Sequence, residues 1–387
     1  MARDDLIDAL RGLALFGILA VNIQSFVWGV GSPTLGVLYE SSSTLDEWAL
    51  FFTALLLEYK FYPIFCFCFG YGFAVQTRRW LAHRNDAHEH FTRRMNFMLL
   101  MGVLHGTLIW FGDILARYAV TGYILRRHIG KGPRALWRAA KYWLGIVIVV
   151  AVVFALFSSG STTDATDVAK QSETAQIEAE LVFDTYAEGN YINATIQRAE
   201  DFFTISAGYV LVLPQVMLFF LLGALAARLK LLRTPERYRA FWQRIFWLAL
   251  LLGVPINLGY AASQLATAAS PWLPSSASSM LLSTFAPVLS LAYVAAAALW
   301  HASGLGKATV RLLAPAGRIA LTLYISQSIL MMLLLNGFCL GLGATMGQFE
   351  LFLTALGIYA LQLVAAHTML RYEISAPLEA MWRRYTN

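Results

Sequence analysis

His105, Asp113 and Arg117 lie close together in a largely apolar stretch that begins at Arg94 and ends at Tyr118. Ionisable groups at membrane depth cost at least a few kcal/mol each, so they usually face a protein interior or a wet cavity. Asp113 follows His105 by about two helical turns, or ~12 Å along a helix axis. Neutral imidazole serves as a general base near neutral pH, and a neighbouring carboxylate orients it. His105 and Asp113 are therefore predicted to form a base–orienter pair, with the nucleophile supplied by the substrate.

The same residues allow other interpretations. His105 could be a hydrogen-bonded histidine of the core with no chemical role. Arg117 shares a face with Asp113 if the helix continues, and could hold its carboxylate ionised. If the helix breaks at the Gly112–Asp113 step, Asp113 lies at the mouth of a cavity instead. No hydrolase, P-loop, zinc-protease or dinucleotide fingerprint occurs in the sequence, and no metal site is predicted.

The first apolar segment adds a second group of polar residues. Asp8, Arg11 and Asn22 are spaced so that they share one face of a helix. They are candidates for substrate or cofactor binding, although Asp8 and Arg11 could simply anchor one end of the helix as an ion pair. Gly12 and Gly17 are expected to allow close approach of a neighbouring helix.

Lys60 lies just before Pro63 in the second apolar segment. Proline removes a backbone donor, so we expect it to break this helix and to free carbonyls that need partners. Lys60 then belongs to the break or pairs with another crossing, and Asp113 is a candidate partner. Lys60 is included among the candidate binding residues.

The ninth apolar segment also carries polar side chains. On one continuous helix, Arg318 and Thr322 share a face, and Tyr324 and Gln327 share another with Ser328. Interhelical hydrogen bonding is the common use of such residues in membranes. Direct contact of Arg318, Tyr324 and Gln327 with a substrate is the alternative.

The composition defines the elements that must position these residues. The 387-residue chain is 58% hydrophobic and only 13% charged, and its mean hydropathy is +0.58. These values and several windows of ~20 apolar residues predict an all-α polytopic membrane protein of about ten transmembrane helices. The predicted crossings are 7–29, 48–77, 94–111, 114–126, 136–158, 206–228, 243–263, 280–301, 318–337 and 349–370.

The distribution of charge predicts the orientation. Arginine and lysine cluster in alternate loops, whereas the other loops hold only Lys170 and Arg198. The positive-inside rule therefore places both termini in the cytoplasm, and the net charge of +6 does not indicate nucleic-acid binding. We expect one transmembrane domain, 1–387, with helical parts 1–158 and 206–387 joined by an external acidic loop, 159–205. That loop is expected to form a short surface helix or a lid.

Several stretches resemble the YeiB-like family of bacterial inner-membrane proteins. They are Leu6–Ile23, Phe69–Phe73, Arg93–Tyr118, Gly317–Ser328 and Pro377–Arg383. The sequence departs from the family pattern at Leu323, Ala376 and Ala380. The resemblance implies a multi-pass protein of the bacterial inner membrane whose C-terminal half is a domain of unknown function.

The family is in turn distantly similar to transmembrane acyltransferases, a group that includes the lysosomal heparan-glucosaminide acetyltransferase. The shared feature is the first segment, from Asp8 and Arg11 to Asn22. This resemblance implies that His105 is catalytic and that acyl-CoA, such as acetyl-CoA, is a co-substrate rather than a tightly bound cofactor. The acceptor would be a carbohydrate or a lipid, and the basic loops Arg78–Arg94 and Arg126–Arg138 would suit the phosphates of coenzyme A, unless they reflect positive-inside charge alone.

Two other functions fit the sequence. A transporter or lipid-handling protein would use the buried charges to line a solute path, and a structural membrane component would perform no chemistry. Membrane lipids are expected partners in each case, and a homodimer is possible.

Overall fold

The structure is a computed structural model that describes residues 4–29, 43–83, 86–160, 177, 180–265 and 276–386. The described residues form helices and short connections, without a strand, as the sequence predicts. The first helices are α1 (Asp5–Asn22), α2 (Ser25–Trp28), α3 (Thr44–Leu56), α4 (Phe61–Ala82), α5 (Ala87–Leu108), α6 (Leu115–Leu125), α7 (Pro133–Gly160) and α8 (180–187). The others are α9 (Tyr191–Leu229), α10 (Arg239–Leu265), α11 (Ser276–Phe285), α12 (Val288–Ala302), α13 (Lys307–Arg318), α14 (Ala320–Leu335), α15 (Gln348–Arg371) and α16 (Pro377–Thr386).

Six helical stretches of the described chain are long and apolar enough to cross a membrane. They are Thr44–Ala82, Pro133–Leu156, Tyr191–Leu229, Pro235–Gln264, Leu281–Ala302 and Gln348–Arg371. The bent pair α13–α14 makes a seventh if it counts as one span. The predicted crossings include three more helices, α1, α5 and α6. α1 has 18 residues and carries the charged residues Asp5, Asp8 and Arg11, and α6 has only 11 residues.

The second predicted crossing is interrupted, but not at the expected residue. α3 ends at Leu56 and α4 begins at Phe61, and Tyr59 between them has a positive φ of 60°. Pro63 lies in the first turn of α4, where its missing N–H would have no helical partner in any case. The prediction that Pro63 breaks this helix is therefore wrong, and the break contains Glu58 and Lys60 instead.

The ninth predicted crossing is also broken. α13 and α14 meet at Ile319 with an angle of 77° between them. Contrary to the prediction, Arg318 and Thr322 therefore do not share a face of one helix. The start of α14 is capped by Glu379 of α16, which accepts hydrogen bonds from the backbone N–H of Leu321 at 2.9 Å and of Thr322 at 3.2 Å. A carboxylate at this end also interacts favourably with the helix dipole.

Glycines allow the helices around the site to approach closely. A Cβ atom on Gly12 of α1 would lie 2.3 Å from the carbonyl oxygen of Leu313, and one on Gly317 would lie 1.7 Å from that of Asp8. The close packing predicted for Gly12 is thus present between α1 and α13. Gly70 allows α4 the same approach to the backbone of α9.

The predicted external loop 159–205 is partly helical. α9 begins at Tyr191, where Asn190 caps it by accepting a hydrogen bond from the N–H of Asn193 at 2.9 Å. At 39 residues α9 is about 58 Å long, longer than a bilayer core requires. The assignment of 191–205 to a loop is therefore wrong, because the cap starts the helix a full 15 residues before its apolar part. Residues 161–176 of the loop lie outside the described part of the chain.

Candidate functional site

His105 and Asp113 form a buried pair. The distance from Nδ1 of His105 to Oδ1 of Asp113 is 2.9 Å, and the two side chains are 1% and 0% exposed. The contact that the sequence predicts is therefore present, and the imidazole points into the protein rather than outward. The catalytic role of the pair stays a prediction.

A turn between two helices brings the pair together. α5 ends three residues after His105, and α6 begins two residues after Asp113. The second carboxylate oxygen of Asp113, Oδ2, accepts a hydrogen bond from the N–H of Ala116 at 2.7 Å. Asp113 thus caps α6, where the helix dipole stabilises a negative charge. α5 ends before Asp113, as one of the two alternatives predicted. Asp113 is nevertheless fully buried, so it does not lie at the mouth of a cavity.

This arrangement fixes the tautomer of His105. A carboxylate can only accept hydrogen bonds, so Nδ1 of the neutral imidazole must carry the proton that it donates to Asp113. Nε2 then keeps a free lone pair. Nε2 is buried and has no hydrogen-bond partner in the part of the chain that the structure describes. The imidazole is therefore oriented as a base whose basic nitrogen is available to another group.

The close approach of α5 to α6 depends on Gly102. A Cβ atom at this position would lie 2.2 Å from the backbone nitrogen of Ala116 and 2.6 Å from Oδ2 of Asp113. We expect Gly102→Ala to lower the free energy of unfolding by ~1–3 kcal/mol, a typical result of overpacking. Thermal unfolding in detergent tests this. Gly72→Ala in α4 is the control, since its Cβ would meet nothing within 4 Å; equal losses for both variants would contradict the packing described here.

Two aromatic residues flank the imidazole. The ring centroid of Tyr324 is 5.1 Å from that of His105, and the Tyr324 hydroxyl accepts a hydrogen bond from the N–H of Ile114 at 3.2 Å. The Trp110 ring is 6.3 Å from His105 and stacks on Phe26 at 5.3 Å. The structure therefore places the predicted residue Tyr324 at the site.

Trp110 belongs to the site, although the sequence analysis did not single it out. It is 5% exposed, and its indole Nε1 is buried without a hydrogen-bond partner among the described residues. An indole N–H usually finds a partner when it is buried. The sequence offers no signal for this residue, because Trp110 lies among the apolar residues Leu108, Ile109 and Phe111.

Arg117 lies near the pair but does not bind it directly. Its Nε and Nη2 atoms are buried without a hydrogen-bond partner in the described chain, while both oxygens of Asp113 are used by His105 and Ala116. The guanidinium is within electrostatic range of Asp113 and of the Tyr324 hydroxyl. The direct ion pair proposed from the helical spacing is thus absent, because α6 begins only after Asp113.

Asp8, Arg11 and Arg318 form an ion-pair cluster between helices. Nη1 of Arg11 lies 3.0 Å from Oδ1 of Asp8 and 3.0 Å from the carbonyl oxygen of Gly317. Nη2 of Arg318 contacts Oδ1 of Asp5 at 2.7 Å. The cluster ties α1 to the α13–α14 break, which agrees with the anchoring alternative. Asn22 is the last residue of α1 and is half-buried.

Lys60 takes part in a different polar group. Its Nζ donates to the carbonyl oxygen of Ala54 at 2.5 Å, and its own carbonyl accepts from the Ser290 hydroxyl at 2.7 Å. The predicted pairing with Asp113 is wrong, because the carbonyls at the C-terminal end of α3 attract the ammonium group. Glu58 in the same break accepts from the Tyr260 hydroxyl at 2.8 Å.

Gln327 connects two helices. Its Nε2 donates to Oε1 of Gln362 at 2.7 Å, and Gln362 in turn donates to the carbonyl oxygen of Leu323 at 3.0 Å. The side chain of Gln327 therefore serves the α14–α15 contact, as the interhelical alternative predicted. The structure brings together His105, Asp113, Arg117 and Tyr324. The Lys60 ammonium and the Gln327 amide bond to other groups, Ala54 and Gln362.

The chain is similar to several bacterial proteins without an assigned function. Residues 226–387, which include Tyr324 but not His105, match a family described as "Protein of unknown function (DUF418)". The chain is 28% identical to the uncharacterized protein YxaH of Bacillus subtilis over 99% of its own length and 94% of that protein. It is 26% identical to the uncharacterized protein YeiB of Escherichia coli over 100% of its length and 97% of that protein.

A third relative covers less. The chain is 33% identical to an uncharacterized 39.9 kDa protein from the amylase 3′ region of Bacillus acidopullulyticus, over 31% of the chain and 32% of that protein. The fold and these matches describe a helical protein that has stretches long and apolar enough to span a membrane and a C-terminal match to DUF418. Nearly the whole chain is thus similar to the uncharacterized proteins YxaH and YeiB, and residues 226–387 match the DUF418 family.

Proposed function

We propose that this protein is a transmembrane acyltransferase in which His105 is the general base. One observation carries the proposal: a buried imidazole is oriented by Asp113 at 2.9 Å, while its other nitrogen has no partner among the described residues. Ionisable groups buried in a membrane protein usually mark functional sites. An oriented imidazole with a free lone pair is the arrangement that deprotonates a hydroxyl or an amine.

The reaction transfers an acyl group, such as acetyl, from the sulfur of acyl-CoA to the acceptor. Nε2 of His105 takes the proton of the acceptor hydroxyl or amine as the new C–O or C–N bond forms. The C–S bond breaks, and the proton passes to the leaving thiolate of coenzyme A. The unpaired N–H donors of Trp110 and Arg117 are suited to stabilise negative charge on the acyl oxygen.

The topology of the proposal follows from the charge distribution. The chain would cross the bacterial inner membrane about ten times, with both termini in the cytoplasm. The basic cytoplasmic loops would bind the phosphates of acyl-CoA, with Asp8, Arg11 and Arg318 at the same side. Asn22 lies ~21 Å further along α1 than Asp8 and would be nearer the other side. The acceptor would be a carbohydrate or lipid that reaches His105 within the membrane, and Lys60, Tyr324 and Gln327 would shape its path. A homodimer is compatible with this scheme.

A transporter or lipid-handling protein is the second candidate, and the α3–α4 break favours it. Glu58 and Lys60 in this break are 4% and 0% exposed, and Oε2 of Glu58 has no hydrogen-bond partner in the described chain. Broken helices with buried polar residues form the binding sites of many transporters.

A ligand-binding experiment separates the two candidates. The acyltransferase proposal predicts that acetyl-CoA or a longer acyl-CoA raises the thermal unfolding temperature of the purified protein, and that free coenzyme A thiol is released over time. Desulfo-acyl-CoA analogues, which lack the cleavable thioester, should stabilise without release. Substrate flux into liposomes, without stabilisation by any acyl-CoA, would support the transporter and reject the acyltransferase.

A further inference from the structure

Arg198 is a second buried cation near His105, in addition to Arg117, and the proposed reaction does not use it. Arg198 of α9 has a side chain that is 1% exposed, and its Nη1 donates to the carbonyl oxygen of Leu108 at 2.6 Å. Leu108 is the last residue of α5 and follows His105 by ~4.5 Å along the helix axis. Phe202, one turn further along α9, packs against Gly106 beside His105. Arg198 is thus held one helical turn from the candidate base.

No carboxylate in the described part of the chain forms an ion pair with Arg198. Its Nη2 is buried and has no hydrogen-bond partner in the described chain. Asp201 follows Arg198 by three residues in α9, but its oxygens accept from Gln197 and Tyr186, each at 2.9 Å. The C-terminus of α5 contributes only about half an elementary negative charge. A buried and incompletely balanced guanidinium is costly, so its presence calls for a counter-charge.

Aromatic rings pack near the Arg198 guanidinium, and one of its edges is left to bind a ligand. The Cζ atom of Arg198 lies 5.3 Å from the ring centroid of Tyr191 and 5.5 Å from that of Phe338. The Tyr191 hydroxyl donates to the same Leu108 oxygen at 3.1 Å. The rings and Leu108 hold the guanidinium in place, and the unpaired Nη2 edge is the donor that remains. A fixed planar guanidinium recognises the oxygens of a phosphate group.

We propose that Arg198 binds an anionic phosphate group of the acceptor, one helical turn from His105. That the bound molecule is the acyl acceptor rests on the proposed function. The anion site itself rests on the geometry of Arg198. The phosphate would come from a lipid headgroup or from a soluble phosphorylated acceptor. In both cases, binding would neutralise the buried guanidinium and hold the adjoining hydroxyl or amine beside Nε2 of His105.

The test measures binding by the full-length protein in neutral detergent, without acyl-CoA. The probes are phosphatidylglycerol, which is anionic, zwitterionic phosphatidylcholine, and inorganic phosphate. Each probe is measured separately. We expect phosphatidylglycerol, and inorganic phosphate if a free phosphate group also binds, to raise the unfolding temperature by several degrees more than phosphatidylcholine does. This shift should be lost in Arg198→Gln. In Arg198→Lys, which keeps the charge but not the planar fork, we expect roughly tenfold weaker binding.

Arg371→Gln is the matched control. Arg371 also lies against an aromatic ring, that of Tyr372 at 5.8 Å, but it is exposed, so this variant should bind the probes as the wild type does. A shift with phosphatidylglycerol alone would identify a headgroup, and a shift with inorganic phosphate as well would identify a free phosphate group.

Three results would overturn the inference: no shift in the wild type with either anionic probe, an unchanged shift in Arg198→Gln, or an equal loss in Arg371→Gln. If Arg198→Gln does not fold, wild-type affinity in Arg198→Lys would overturn it. Because acyl-CoA is absent, a failed acyltransferase proposal leaves these results unaffected, and a failed anion site leaves acyl transfer by His105 to be measured separately.

Discussion

Replacement of His105 by glutamine is expected to lower the rate of acyl transfer by a factor of ~10²–10⁴, the usual contribution of a general base. Glutamine fills most of the volume of histidine and can still bond to Asp113, but it cannot accept a proton near neutral pH. The rate of coenzyme A release with a saturating acceptor measures the effect. The heat-stabilisation by acyl-CoA should remain, because His105 acts on the acceptor.

His367→Gln is the control for this substitution. The imidazole of His367 lies on the exposed side of α15, with Nε2 at 2.9 Å from the carbonyl oxygen of Leu312. We expect this variant to transfer acyl groups at the wild-type rate. Full activity in His105→Gln, with a normal unfolding temperature, would remove the base from the proposed reaction.

Replacement of Asp113 by asparagine is expected to lower the rate by a similar factor, although the change is nearly isosteric. The two oxygens of Asp113 accept from two donors, Nδ1 of His105 and the N–H of Ala116. Asparagine has one acceptor oxygen and one donor nitrogen. If the oxygen caps α6, the amide N–H faces Nδ1, and the imidazole proton must move to Nε2. The lone pair that the reaction needs is then lost, as in other histidine–carboxylate pairs.

Asp86→Asn is the matched control, because Asp86 also caps a helix. Its side chain accepts from the N–H of His88 at 2.9 Å and of Glu89 at 3.1 Å at the start of α5. Both variants should lose a few tenths to about 1 kcal/mol of stability at most, but only Asp113→Asn should lose activity. Wild-type transfer by Asp113→Asn would show that the carboxylate does not orient the base.

Much of the fold could be predicted from the sequence, because hydropathy and charge report directly on membrane insertion. The all-helical class followed from apolar windows, and the His105–Asp113 contact followed from two ionisable residues in one apolar stretch. The breaks were harder to predict. Pro63 lies in a helix where a break was expected, whereas the break at Lys60 depends on tertiary partners, Ala54 and Ser290, that no local pattern indicates.

The remaining members of the site also depend on tertiary structure. Arg198 was assigned to a loop and considered only as a charge, because its burial arises from contacts with α5 and with Phe338. In the sequence, Trp110 is indistinguishable from other apolar residues. Only the structure identifies it as part of the site, because its indole nitrogen has no partner in the described chain. Arg318 and Gln327 were predicted as candidate binding residues on the faces of one continuous helix. The bend at Ile319 places them on two helices, α13 and α14.

The most direct test follows the acyl group itself. Purified protein in liposomes of bacterial lipids is given acetyl-CoA labelled in the acetyl group, and the label in the lipid and in the added carbohydrate is compared for the wild type and His105→Gln. The proposal predicts that label leaves acetyl-CoA and appears in an acceptor at a rate at least ~100-fold higher for the wild type. Label that stays in acetyl-CoA, or equal transfer by both proteins, would contradict an oriented histidine acting as the base of acyl transfer.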